Sequence, residues 1–147
     1  MILGKHLTVI EADLADFAGK HDYTVYPPLS GGRYPNRRIS KIGSVIRSIH
    51  ISMDDAPNGE RFDQFFPDIP YSIFGMAWID DLDQKKRWHA PSLGIEGVPF
   101  SALTHALPLH LAHFHGYLSA ISADYIKACA RISYPAERLR LVSGAGL

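Results

Sequence analysis

The chain has 147 residues, 46% hydrophobic and 20% charged, which suits one domain, 1–147, with a real core and leaves no room for two comfortable ones. Fifteen Lys and Arg balance fifteen Asp and Glu, and a neutral total argues against a general nucleic-acid or membrane-surface binder. The single cysteine, Cys129, excludes an internal disulfide and nearly excludes a cysteine-based zinc site.

The opening Met-Ile-Leu-Gly-Lys-His lacks the sustained apolar run of a signal peptide. No stretch approaches the roughly 18 uncharged apolar residues of a membrane span, so a cytoplasmic protein with no membrane partner is expected. Thr8 to Lys20 reads as a helix. Thr8 and Glu11 have capping-box spacing, Leu7 supplies the staple, Ile10, Leu14 and Phe17 form the apolar side, and Gly19 is the expected stop. Tyr23 to Tyr26 reads as a short strand. Pro27 to Arg38 is a loop of prolines, glycines and arginines without the Gly-Lys-Ser/Thr of a phosphate loop.

Ile39 to Met53 reads as a strand with a bulge or bend at Gly43. Val45, Arg47, Ile49, Ile51 and Met53 share one face, and Ile46, Ser48, His50 and Ser52 the other. Asp54 to Pro70 is a connection, pinned by Phe62, Phe65 and Phe66. Tyr71 to Asp80 is a strand apolar on both faces, as a central strand should be. Asp81-Leu82-Asp83 turns into a returning strand, Gln84 to His89, and Pro91 to Gly97 reads as a loop. A short helix opens at Pro99 and Ser101 and ends near Ala106.

A long helix is expected from Pro108 to Ile132, with Pro108 in its first turn and Pro135 beyond its end. Leu111, Phe114, Leu118, Ile121, Tyr125, Ala128 and Ile132 form its stripe at spacings of three and four. That stripe can pack on a sheet or form the seam of a homo-oligomer. Helix, then mostly strands, then helices gives an α+β fold: an antiparallel β-sheet with an N-terminal helix and C-terminal helices packed on it.

Chemistry-bearing motifs are sparse. His110 and His113 stand about 60° apart around a helix, close enough to share an ion, with His105 one segment earlier. A small metal-assisted enzyme using His105, His110 and His113 is therefore the alternative reading. His115 lies about 160° around the helix from His113 and cannot join them simply. There is no H-E-x-x-H and no nucleophile elbow, and nothing sets Ser101 or Ser119 into a triad. His21-Asp22-Tyr23 is a possible acid–base group that a helix end explains as well.

Charge distribution carries more information. Between 54 and 83 lie eight acids, Asp54, Asp55, Glu60, Asp63, Asp68, Asp80, Asp81 and Asp83, against one base, Arg61, a formal −7. Basic blocks flank the segment: Arg33, Arg37, Arg38, Lys41 and Arg47 before it, and Lys85, Lys86 and Arg87 after it. Either the acids pair with these blocks, or they form an acidic surface that suits a basic protein partner, since complementary fields speed encounter and exclude wrong partners. Tyr71 and Trp88 would then be aromatic anchors at its margin.

A small, motif-free α+β chain with clustered acids resembles the immunity proteins of bacterial toxin–immunity systems, including contact-dependent inhibition. The resemblance implies a toxin inhibitor acting by protein–protein interaction: a binding module with no cofactor and no chemistry of its own, holding a cognate toxin. The partner-binding residues expected are Asp54, Asp55, Glu60, Asp63, Asp80, Asp81, Asp83, Tyr71 and Trp88.

Overall fold

The computed structural model describes residues 2–26, 37–53 and 70–133. They form α1 (Ile2–His21), β1 (Thr24–Tyr26), β2 (Arg37–Lys41), β3 (Ile46–Met53), β4 (Pro70–Asp81), β5 (Lys86–His89), β6 (Leu93–Pro99), α2 (Phe100–Ser119), α3 (Ala123–Ala128) and β7 (Ile132–Ser133). The seven strands make one antiparallel sheet in the order β1-β2-β3-β4-β5-β7. β6 pairs with the first half of β4, and β5 with its second half. The expected α+β architecture is the observed one. The expected loops and connection over 27–36 and 54–69, with Phe62, Phe65 and Phe66, lie outside the described residues.

The two long helices pack on each other and on the sheet. Ile10, Leu14, Phe17 and Ala18 of α1 and Leu103, Leu107, Leu111, Phe114 and Leu118 of α2 bury against Ile39, Ile49, Ile51, Ile73 and Ala77 of the sheet. β4 brings Gly75 under α2, where an added Cβ would come within 2.9 Å of Phe114 Cδ1. Only a residue without a side chain allows that close approach.

Several boundaries differ from the sequence expectation, each for a local reason. α1 starts at Ile2, so Thr8 lies inside the helix and not at its N-terminus. Glu11, the other half of the expected box, instead accepts two bonds from Arg37, at 2.6 and 2.8 Å. The helix stops not at Gly19 but through Asp22, which takes φ 60° while Tyr23 N–H reaches back to the Ala18 carbonyl at 3.0 Å. That is a Schellman closure with aspartate in the left-handed position.

The expected strand from Ile39 to Met53 is two strands folded as a hairpin, β2 and β3, with Gly43 in the turn. Its faces hold all the same: Ile49 and Ile51 enter the core, while Ser48 faces away and bonds Ser40 across the ladder, Oγ to Oγ, at 3.0 Å. The expected loop after Pro91 contains β6. There Glu96 and Gly97 oppose the single Ser72, and Gly97 takes φ 71°, the geometry of a glycine bulge.

The long helix from Pro108 to Ile132 is corrected most. α2 begins at Phe100 and carries Pro108 inside it. A proline there deletes one helical hydrogen bond and costs about 3 kcal/mol. The chain stays helical because Leu103, Leu107, Leu111, Phe114 and Leu118, all fully buried, continue one stripe past the proline. The stripe ends at Ile121. Ser122 then caps a separate short helix by accepting from Tyr125 N–H at 3.1 Å. In α3 the buried residue is Ile126, while Tyr125 is exposed. Because the α2 stripe is spent on this chain's own sheet, it offers no seam to a second copy.

Candidate binding site at the β4–β5 turn

The β4–β5 hairpin sets Asp80 opposite Arg87 and Asp81 opposite Lys86. Arg87 grips Asp80 with two bonds, Nε to Oδ1 at 2.7 Å and Nη2 to Oδ2 at 3.1 Å. Its guanidinium also lies 4.7 Å from the Trp78 ring centre. Both partners of the pair are about nine-tenths buried. Asp80 is therefore neutralised inside the protein, as the intramolecular-pairing reading expects, and is removed from the set of docking charges.

Beyond it the turn projects Leu82, which is 63% exposed, between Asp81 and Asp83. Asp81 Oδ1 accepts the Gln84 N–H at 3.1 Å and closes the turn. Asp81 and Asp83 make no ion pair among the described residues. With Ile79, Trp88 and Lys127 these residues line an open cleft of about 440 Å³ between the turn and α3. Trp88 is half-buried, with part of its ring on the core and part at the cleft. Four of the expected partner-binding residues thus meet in space: Asp80, Asp81, Asp83 and Trp88.

Tyr71 does not join them. It is fully buried beside Phe100, 5.7 Å between ring centres, and burial pushes its hydroxyl well above the usual tyrosine range. The alternation of β4 turns it into the core, so it cannot anchor a partner. Asp54, Asp55, Glu60 and Asp63 lie outside the described residues.

The histidine alternative fares differently. His105 and His113 are exposed on α2 and His110 is half-buried. Among the described residues no three His, Cys, Asp or Glu side chains gather as a metal group. Instead the structure unites histidines that sequence spacing kept apart, His21 from the end of α1 and His115 from α2, with ring centres 4.4 Å apart. Tyr23 O–H lies 2.9 Å from His115 Nδ1. The one signal for this cluster was the His21-Asp22-Tyr23 run; that His115 would meet it follows from the packing of α1 on α2, which no local pattern encodes.

No helix among the described residues is long and apolar enough to cross a membrane. Comparison with protein-family models, with curated proteins and with solved structures finds no match for this chain.

Proposed function

We propose that this protein is a non-enzymatic binding module, an immunity-like inhibitor whose β4–β5 turn docks a basic toxin domain such as a nuclease with a positive groove. The observation that supports this reading is the cleft at the turn. An exposed leucine stands between two acids that make no ion pair among the described residues, beside a half-buried tryptophan. Apolar contact at the centre with charge at the rim is how protein interfaces are built. Lys127 and Lys86 temper the field, so Asp83 and Leu82 carry most of the contact.

The test is affinity capture from the native cell with wild type and with the double variant Asp81→Asn, Asp83→Lys. Asparagine keeps an acceptor for Gln84 N–H, and Asp80 is left intact because the core needs it. A basic protein held in equal stoichiometry by wild type, and lost or weakened at least about tenfold by the variant, supports the reading. The same partner held equally by both rejects this surface.

A further inference from the structure

His21 and His115 join the C-terminal ends of the two long helices. Their rings lie 4.4 Å apart at 41°, and Phe17 packs on both, at 4.4 and 5.7 Å. Each element packed around the pair sends a polar or charged group toward it. From the approach to β1 comes Tyr23, bonded to His115 Nδ1. From β2 comes Lys41, whose ammonium sits 5.3 Å from the Tyr23 ring centre. From β3 comes Arg47, and from α2 itself Ser119, 3.5 Å from the same Nδ1. Neither histidine forms an ion pair with a carboxylate among the described residues; Asp16, one turn earlier on α1, is engaged with Lys20. The charged neighbours that act on the His115 ring, His21, Lys41 and Arg47, all oppose a proton on it.

We propose that the His21–His115 contact is an acid-sensitive latch between α1 and α2, closed while the His115 ring is neutral and driven open when acidification places a positive charge on it, against His21 and next to Lys41 and Arg47. Tyr23 does not oppose this. Burial keeps its phenol protonated, so it donates to Nδ1 of the neutral ring, and it accepts from Nδ1–H once the ring is charged. The resistance comes from burial first and then from His21, Lys41 and Arg47, which together hold His115 below the usual histidine range. A depressed histidine stabilises the closed state fully above the ordinary value of about 6.5, and that stabilisation is lost as pH falls through its lowered value. Opening would loosen the last turn of α1 and uncover Phe17 and Tyr23.

The test follows the histidine ring signals of the full chain by NMR through an acid titration, together with amide exchange over 17–23. The latch requires His115 to titrate at higher pH in His21→Gln, and again in Lys41→Gln, because each change removes an opposing positive charge. It also requires protection factors over 17–23, corrected for the slower intrinsic amide exchange at lower pH, to fall several-fold between about pH 7.5 and pH 5 in wild type, and clearly less in His115→Gln. Any general acid loosening affects both proteins alike and cancels in that comparison. If His21→Gln does not fold, Lys41→Gln and the wild-type titration still decide. A His115 midpoint that ignores both substitutions, or an equal loss of protection with and without the His115 ring, overturns the latch.

Discussion

Arg87 and Asp80 show how much rests on single side chains. Their bidentate bond is buried under the Trp78 ring, so removing one partner strands the other charge away from water. Asp80→Ala is expected to lower unfolding free energy by about 3 kcal/mol in denaturant titration. A loss under about 1 kcal/mol would mean that Arg87 finds water instead. His50 makes a second residue-scale prediction. It sits on the sheet face away from the helices, its Nε2 has no hydrogen-bond partner among the described residues, and burial, aided by Arg38, lowers its pKa to about 4. The unfolded chain takes up that proton near 6.5 and the folded chain only near 4, so stability is full above the first value and falls through the second. Wild type should lose about 3 kcal/mol more than His50→Leu between neutral pH and about pH 4. Equal acid losses in the two proteins would contradict the burial of that ring.

At the scale of elements, local patterns succeed where a stripe or an alternation is undisturbed. The apolar side of α1, the two faces of β3, the central position of β4 and the β4–β5 turn are all legible in the sequence. They fail where tertiary packing outvotes a local signal. Pro108 marks a helix start by its own chemistry, yet six buried residues from Phe100 to Leu118 carry α2 straight through it. The break that ends α2 depends on Arg47, whose guanidinium binds the Leu118 and Ile121 carbonyls, both at 2.8 Å. A residue 71 positions away from Leu118 thus finishes the helix, and no window of sequence contains that fact. The proline is tolerated rather than needed. Pro108→Ala is expected to raise stability by about 1 kcal/mol or more, since alanine restores the missing donor on an exposed face. A lower melting temperature would show instead that the packing around α2 needs the proline.

For the whole molecule, the antiparallel sheet decides which residues share a site. It folds Asp80 inward onto Arg87, carries Tyr71 into the core, and leaves Asp81, Leu82, Asp83 and Trp88 at one cleft beside α3. The acidic run was readable as charge along the chain; which acids face outward was not, because facing is a property of register. In the proposed function, this end of the sheet recognises a basic partner by field and shape. The most direct test is the association rate of wild type with the captured partner, measured by stopped flow across a salt series. A steered encounter should slow at least about tenfold between low and high salt, and the Asp81→Asn, Asp83→Lys variant should lose most of that dependence. A rate indifferent to salt, and equal in the variant, would contradict it.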